Sequence, residues 1–319
     1  MKFDVVGIDM PCVDFAVNVD HFPDPNGGER IRELSWQGGG KVATGLVAAA
    51  RLGAGCAVLG AVGNDSYGRF CDKDFIRHGI DTKHLLKREG RTTSLSLVLS
   101  NRETMGRAII YNLGTAEKLE KNELAVDYLK NARYLHLAML DDVAVEAARI
   151  AREAGVKVFL DADSYSDELG DFIPMVDVFV ASEFVYEAMF QDRDYEANCR
   201  KVMERGPEIV VFTFGEKGCV GLSREGYFEL PAYHVEVVDT VGAGDVYHGA
   251  FLAGLLKGWT VEKTAQFSSA VSAIKCTRIG GRAAIPDMET VMRFMETGEI
   301  NYAEIDQRVE FYKRGIDHV

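Results

Sequence analysis

The chain has 319 residues, 47% of them hydrophobic, which is enough to bury a full core as one large α/β domain or two small ones. Its formal net charge of −13 argues against a broad surface for nucleic acid or anionic membrane, while a local basic pocket for a nucleotide stays compatible with it. The six cysteines are scattered, with no CxxC and no Cys/His group at metal-ligand spacing, which is typical of reduced thiols in a cytoplasmic protein. The N-terminus lacks a signal-peptide pattern, and no apolar run approaches the roughly 20 residues that a membrane span needs.

Short strands with alternating polar and apolar residues are predicted in two places, within residues 12–36 and within residues 91–113. We expect them to form one small sheet that stands off the main body. Asp14 lies on the polar face of the first strand, and by pattern alone a solvated strand residue is the favoured interpretation. Arg107 begins the last of these strands, where an exposed edge-strand charge and a ligand contact are equally compatible with the sequence.

Three glycines followed by Lys41 open a predicted helix of small residues, which ends at Gly53. The spacing is not that of a Walker A loop, because the order GxxxxGK[ST] is missing. The helix is nevertheless glycine-rich at its start, where a backbone can approach a ligand closely.

Between residues 134 and 214 the predicted strands and helices alternate, which indicates a parallel sheet with helices on both faces. Asp161 and Asp163 end one of these strands at the carboxyl edge, where open sheets bind ligands. His136 is more typical of a core or lining histidine than of a metal ligand, because no partner lies at ligand spacing.

The segment Asp239-Thr240-Val241-Gly242-Ala243-Gly244-Asp245 lies between β-branched residues and an apolar helix. We predict a strand end, a glycine turn and a helix start, whose free amide groups and dipole suit a phosphate. Asp245 then either caps the helix or takes a proton from a hydroxyl that attacks phosphorus. The turn by itself leaves the two roles about equally supported.

Residues 239–251 resemble the C-terminal signature of the ribokinase-like (PfkB) carbohydrate kinases, with Asp, Thr, Gly-Ala-Gly-Asp and Gly in place. The glycine pair, the Ala-rich helix and Arg51-Leu52-Gly53 resemble the N-terminal signature of the same family. The resemblance covers about residues 3–296. It implies a ribokinase-like three-layer sandwich with a mainly parallel central sheet and a small β lid, as a single kinase domain across residues 1–319.

The activity implied by this resemblance is ATP-dependent phosphorylation of a hydroxyl of a small ribose-like or ketohexose-like sugar. It assigns the anion hole to Gly242, Ala243 and Gly244, the general base to Asp245, and a contact near the transferred phosphate to Arg107. It assigns sugar binding to Asp14, Gly39, Gly40 and Thr44, and nucleotide binding to Thr213, Gly215 and Gly218. Spacing alone favours a plain β-turn for the last three residues.

Two departures from the family pattern bear on substrate and metal. Thr44 stands where relatives usually carry an asparagine that holds the sugar, which leaves a sugar other than ribose open. Many relatives order water around Mg²⁺ with an Asn-x-x-Glu motif, but here the matching positions are Ser182 and Val185. Glu183 or Glu187 is the candidate substitute, and the requirement of ATP for Mg²⁺ remains.

The resemblance also suggests that Asp239 and the loop before Pro286 bind a monovalent cation such as K⁺, as in some relatives. The expected partners are ATP and a sugar, without nucleic acid or membrane, in a homodimer formed through the lid. A nucleoside kinase is the alternative, with Phe15, Phe22 or Trp36 as the seat of the base. A third possibility, a non-catalytic sugar-binding regulator, predicts loss of the base or of the anion hole, and both are present in the sequence.

Overall fold

The computed structural model describes residues 2–104 and 106–316. Its strands are β1 (Phe3–Asp9), β2 (Cys12–Val19), β3 (Glu33–Gly39), β4 (Cys56–Gly63), β5 (Asp81–Arg88), β6 (Ser94–Asn101), β7 (Arg107–Asn112), β8 (Ala132–Leu137), β9 (Lys157–Ala162), β10 (Val178–Ser182), β11 (Ile209–Thr213), β12 (Cys219–Ser223) and β13 (Gly226–Leu230). Its α-helices are α1 (Lys41–Arg51), α2 (Ser66–Arg77), α3 (Val126–Lys130), α4 (Asp142–Glu153), α5 (Asp167–Phe172), α6 (Glu183–Met189), α7 (Tyr195–Met203), α8 (Ala243–Leu256), α9 (Val261–Lys275), α10 (Met288–Thr297) and α11 (Ala303–Tyr312).

A nine-stranded sheet in the order β13-β12-β11-β10-β9-β8-β1-β4-β5 forms the centre of the described chain. Neighbouring strands are parallel from β5 to β11, and β12 pairs antiparallel with both of its neighbours. The two faces of this sheet carry separate apolar clusters. Val5 packs with the side chains of α1, α8 and α9, whereas the next residue, Val6, packs with those of α3 and α4 on the other face. The predicted three-layer sandwich is confirmed.

The second sheet, with the order β3-β2-β6-β7, is the lid. Asp14 on β2 lies opposite Gln37 on β3 and Ser96 on β6, so these three side chains share one face of the lid. The predicted lid strands were placed within residues 12–36, but β3 runs past this limit. It begins at Glu33 and extends through Gly39, directly to the start of α1.

The helices α1 and α8 cross at two glycines, and this crossing positions the site. A Cβ atom on Gly249 would lie 2.0 Å from the carbonyl oxygen of Gly45, so a larger residue at this contact would separate the helices. Both glycines lie in the first half of their helix. The N-terminal ends of α1 and α8, at Gly40 and Gly242, are therefore brought to the same edge of the central sheet.

Two segments differ from the sequence-based expectation, residues 235–238 and β5. Residues 235–238 form no strand, since the amides of Val238 and Asp239 bond instead to the carbonyl of Cys276. β5 was not predicted, because its sequence from Asp81 to Arg88 carries several charges. The polar tail forms α11, whose Tyr312 is fully buried. Within the described ranges, no helix is long and apolar enough to cross a membrane.

Candidate active site

The glycine turn before α8 has a shape that depends on Gly242. This residue has φ of +73°, and a Cβ atom on it would lie 2.9 Å from the Cα of Gly281. At Gly244, by contrast, a Cβ atom would meet nothing within 4 Å, so open space lies in front of the first turn of α8. Amide groups in the first turn of a helix have no acceptor within it, and the helix dipole adds positive potential there. The turn therefore has the geometry of a phosphate-binding site.

Asp245 lies half-buried in this first turn, among other charged side chains. Burial raises the pKa of Asp245 well above its usual range. The negative charge of Asp161 raises this pKa further, as do Asp9 and Asp163, while the ammonium group of Lys41 lowers it. A carboxylate with raised proton affinity beside a phosphate-binding turn is suited to general-base chemistry.

The start of α1 supplies the other charges of the site. The Nζ atom of Lys41 lies 2.5 Å from Oδ2 of Asp163, beyond the end of β9. Asp9 ends β1, and its Oδ2 accepts a hydrogen bond from the amide of Ala43 at 2.7 Å. Gly40 has φ of +101°, and a Cβ atom there would lie 2.7 Å from the same oxygen of Asp9. We did not single out Lys41 or Asp9 as site residues, although both mark the carboxyl edge of the sheet, where ligands are expected.

A buried polar cluster lies behind Asp245. The Nδ1 atom of His248, one turn after Asp245 on α8, lies 2.9 Å from Oδ2 of the buried Asp161. Burial raises the pKa of Asp161, but His248, His136 and Lys41 together lower it below its usual range. His136 is fully buried, and burial lowers its pKa to about 3. The imidazole of His136 lies against Gly45, since a Cβ atom on Gly45 would be 2.6 Å from its Cε1. His136 therefore packs between β8 and α1.

The predicted sugar-binding residues Asp14 and Gly39 are brought together. A Cβ atom on Gly39 would lie 2.4 Å from both carboxylate oxygens of Asp14, so the glycine leaves room for this side chain. Asp14 is half-buried, and burial raises its pKa. The lid carboxylate and the end of β3 thus form one surface beside Gly40 and the first turn of α1.

Thr44 is placed differently from an open sugar contact. It is buried, and its Oγ1 accepts a hydrogen bond from Nε of Arg282 at 3.2 Å. The same guanidinium donates to the carbonyl of Gly39 at 2.8 Å and to Oδ2 of Asp74 at 2.7 Å. Thr44 is therefore linked to the sugar side of the site through Arg282, a fully buried residue that the sequence pattern did not indicate.

Arg107 connects the lid to the glycine turn. Its Nη1 atom lies 3.3 Å from Oγ1 of Thr240, two residues before Gly242. The side chain is exposed at the first residue of β7. The guanidinium of Arg107 therefore lies beside the residues that lead into the glycine turn.

Thr213, Gly215 and Gly218 lie at the end of β11, two strands from β9 and so roughly 10 Å across the sheet from Asp161. Gly218 has φ of +97°, and a Cβ atom there would lie 1.9 Å from the carbonyl oxygen of Leu230. The β12–β13 hairpin alone therefore requires this glycine.

The two candidate metal ligands both have protein partners. Glu183, the first residue of α6, forms an ion pair with Lys217 at 2.6 Å. Asp239 is buried, and its two carboxylate oxygens accept hydrogen bonds from the amides of Val241 at 2.9 Å and Gly280 at 2.8 Å. In the part of the chain that the structure describes, no group of three His, Cys, Asp or Glu side chains is arranged to hold a metal ion.

Known proteins resemble the chain over nearly its whole length. A 5-dehydro-2-deoxygluconokinase of Clostridium perfringens is 26% identical over 331 aligned positions, which cover 96% of this chain and 97% of that protein. A ribokinase of Haemophilus influenzae is 29% identical and covers 89% of this chain and 95% of its own length. A crystal structure from E. coli, described provisionally as Ribokinase II in complex with ATP and Mg²⁺, superposes with a TM-score of 0.81 at 21% identity, covering 92% of this chain and 99% of that one.

The sequence profile of the pfkB family carbohydrate kinases matches residues 2–288. This match spans both the lid and the glycine turn of α8. The chain therefore belongs to the pfkB family of carbohydrate kinases and is an ATP-dependent sugar kinase.

Proposed function

We propose that Asp245 is the general base of this kinase and that the amides of Gly242, Ala243 and Gly244 hold the phosphoryl group during transfer. The observation that carries the proposal is the position of Asp245. It lies in the first turn of α8, beside open space at Gly244, and burial raises its pKa. A base and an anion-binding turn are thus placed on the same short segment.

In this mechanism a hydroxyl oxygen of the sugar attacks the γ-phosphorus of ATP. The new O–P bond forms as the bond between the γ-phosphorus and the β,γ-bridging oxygen breaks, and ADP leaves. Asp245 accepts the hydroxyl proton late in this step, because the transition state is loose and needs little prior ionisation of the alcohol. The charge that spreads over the phosphoryl oxygens is stabilised by the turn amides and by Arg107 and Lys41.

We propose that the sugar binds between the lid and the start of α1, with Asp14 and the backbone at Gly39 and Gly40 as its contacts. The contact of the Asp14 carboxylate with Gly39 supports this placement. The relatives act on ribose and on 5-dehydro-2-deoxygluconate according to their names, so both classes of acceptor are candidates here. Thr44 contributes through Arg282, by holding the carbonyl of Gly39 in place.

The nucleoside alternative receives less support from the lid. Phe15 and Trp36 stack on each other with ring centroids 4.3 Å apart. As neighbours in sequence of Asp14 and Gln37, they lie on the opposite face of the lid from those residues. The aromatic pair is therefore turned away from the proposed sugar surface.

We propose that ATP brings Mg²⁺ to the site, as in the E. coli complex. A magnesium ion needs only one or two protein carboxylates besides phosphate oxygens and water. Glu183 remains our candidate for ordering that water, and to do so it would give up its ion pair with Lys217. Thr213, Gly215 and Gly218 are proposed to line the nucleotide side of the same sheet edge.

A homodimer through the lid is also proposed. β7 lies at the edge of the lid sheet, and the side chains of Ile109, Ile110, Tyr111 and Leu113 are 48–66% exposed there. An exposed apolar edge strand is a pairing surface unless something covers it. Ile110→Lys is expected to convert a dimer to a monomer in light scattering, whereas the proposal fails if the unchanged protein is monomeric at micromolar concentration.

A coupled assay of ADP release tests the proposed function. Ribose, fructose, 5-dehydro-2-deoxygluconate, their phosphorylated forms and adenosine are supplied in turn with MgATP, and Asp245→Asn is the blank. We expect turnover with at least one sugar or sugar acid and no signal from the blank. Turnover with adenosine alone, or sugar binding without ADP release from any acceptor, would overturn the proposal.

A further inference from the structure

A lysine ammonium group is buried next to the glycine turn. Lys275, the last residue of α9, is 0% exposed, and its Nζ donates a hydrogen bond to the carbonyl oxygen of Asp239 at 2.9 Å. An unpaired buried ammonium is strongly unfavourable, so such a group persists where anionic and carbonyl oxygens compensate it. This hydrogen bond fixes the ammonium group to the backbone of Asp239, the residue that begins the glycine turn.

The carboxylate of Asp239 is itself committed to the backbone. Oδ1 accepts from the amide of Val241, and Oδ2 accepts from the amide of Gly280. These two amides belong to the two loops that meet at Gly242 and Gly281. Asp239 therefore ties the glycine turn to the loop after α9, and Lys275 holds the backbone carbonyl of the same residue.

Carbonyl oxygens of the loop before Pro286 also have protein donors. The carbonyl of Ile279 accepts from Nε2 of Gln37 at 3.0 Å, and that of Ala283 accepts from Nε of Arg308 at 2.7 Å. The carbonyl of Ile285 accepts from Nε of Arg51 at 2.8 Å. A dehydrated monovalent cation needs several such oxygens facing it, and each of these faces an N–H group instead.

The carboxylate of Asp239 and these three loop carbonyls therefore already have protein donors where the family resemblance suggested a monovalent cation. We infer that the ammonium group of Lys275 takes the place of that cation and makes phosphoryl transfer independent of K⁺. Lys275 is a positioning residue: it holds the backbone carbonyl of Asp239 and, through it, the turn whose amides face the phosphoryl group.

This inference rests on the proposed function, because its effect is on the anion-binding turn. Two measurements on the unchanged protein separate the two claims. Turnover is measured with Tris salts of ATP in tetramethylammonium chloride and in KCl at equal ionic strength, and the melting temperature is measured in the same salts without nucleotide. We expect equal kcat in both salts and equal melting temperatures.

Activation by KCl of about tenfold or more, or a melting temperature raised by KCl but not by tetramethylammonium, would overturn the inference while leaving the kinase function intact. If turnover is absent in both salts, the result counts against the proposed function. The melting temperatures then still show whether K⁺ binds to the protein.

A variant adds a second test. Lys275→Ala opens a cation-sized space beside Asp239, and we expect kcat to fall about 10- to 100-fold, as on loss of an outer-shell partner, with KM for the sugar changing less. KCl is expected to raise the melting temperature of this variant and to recover part of its kcat. Lys263→Ala, at an exposed position on the same helix, is the matched control and should respond to neither salt. If Lys275→Ala keeps the kcat of the unchanged protein, the inference is wrong, and if it does not fold, the salt series on the unchanged protein decides.

Discussion

The imidazole of His248 lies 2.9 Å from the carboxylate of Asp161, one helical turn beyond Asp245 and on the same helix. Both side chains are almost fully buried, so their positions behind Asp245 are fixed. A negative charge at Asp161 makes loss of a proton from Asp245 less favourable. The proton affinity of the proposed base is thus tuned by a residue of strand β9.

This relationship predicts a pH dependence. Burial raises the pKa of Asp245, and the negative charges of Asp161, Asp9 and Asp163 raise it further, whereas the ammonium group of Lys41 lowers it. Since the base must be unprotonated, kcat/KM is expected to fall on an acidic limb that lies above the usual carboxyl range near pH 4.

Asp161→Asn removes one negative charge and is expected to move that limb to lower pH in a profile of kcat/KM between pH 4 and pH 9. Asp171→Asn, at an exposed position, should leave it in place. A limb that stays fixed or moves to higher pH in Asp161→Asn would show that Asp161 does not tune the base.

The raised pKa of Asp245 also has a consequence for stability. A carboxyl group whose pKa is higher in the folded than in the unfolded chain gives its full stabilisation below the unfolded pKa, and this is lost as pH rises through the folded pKa. Asp245 is therefore less favourable for folding at pH 8 than at pH 4, and Asp245→Asn is expected to raise the melting temperature at pH 8 more than at pH 4. Equal shifts at both pH values would contradict the raised pKa.

The two glycines of the turn are expected to respond differently to alanine. Gly242→Ala forces a side chain into a left-handed conformation and against Gly281, so unfolding in urea should show a loss of about 1–3 kcal/mol. Gly244→Ala meets no protein atom, so its free energy of unfolding should change by less than about 1 kcal/mol.

The added methyl group of Gly244→Ala does occupy the space proposed for the phosphoryl group. We therefore expect its kcat to fall and its KM for ATP to rise, while Gly170→Ala on α5, where a Cβ atom makes only an ordinary contact with Arg205, serves as the control glycine. Wild-type kinetics in a well-folded Gly244→Ala protein would place the phosphate elsewhere.

The buried ion pair of Asp74 with Arg282 is expected to dominate the stability of the sugar side. Burial raises the pKa of Asp74, but Arg282, His78 and Tyr312 together lower it below its usual range. The stabilisation is then present above the unfolded pKa and is lost as pH falls through the folded one. Asp74→Ala leaves the guanidinium uncompensated and should cost about 3–5 kcal/mol in urea unfolding at pH 7.

Glu299→Ala breaks the exposed pair with Arg293 and is the matched control, with an expected loss below about 1 kcal/mol. Equal losses in the two variants would mean that the Asp74 pair adds nothing beyond an exposed one. Because Arg282 also holds the carbonyl of Gly39, Asp74→Ala should raise KM for the sugar more than KM for ATP.

The parts of the site that could be predicted from sequence are contiguous. Gly242, Gly244 and Asp245 lie in one short segment, so its sequence alone predicts the turn, the helix start and the candidate base. The alternation of strands and helices predicts the central sheet. Residues 235–238 look like a strand, yet their position is set by bonds to Cys276, which a β-branched run does not reveal.

The long-range pairs could not be predicted in the same way. Asp74 and Arg282 are 208 positions apart, and nothing near either residue indicates the other. The family resemblance assigns Thr44 to sugar binding, because relatives usually carry an asparagine there, but the Thr44 hydroxyl accepts a hydrogen bond from Arg282. His248 carried a local signal, since it lies one helical turn after Asp245, and its partner Asp161 was visible only as the end of a strand.

A rapid-quench measurement of phosphoryl transfer in a single turnover tests the role of Asp245 most directly. The unchanged protein, Asp245→Asn and Asp171→Asn are compared with the sugar identified in the ADP-release assay, and ATP affinity is measured separately. We expect the transfer rate of Asp245→Asn to fall by roughly 10²- to 10⁴-fold with nearly unchanged ATP affinity, and Asp171→Asn to match the unchanged protein. A transfer rate for Asp245→Asn within a few-fold of the unchanged protein would contradict the assignment of Asp245 as the base.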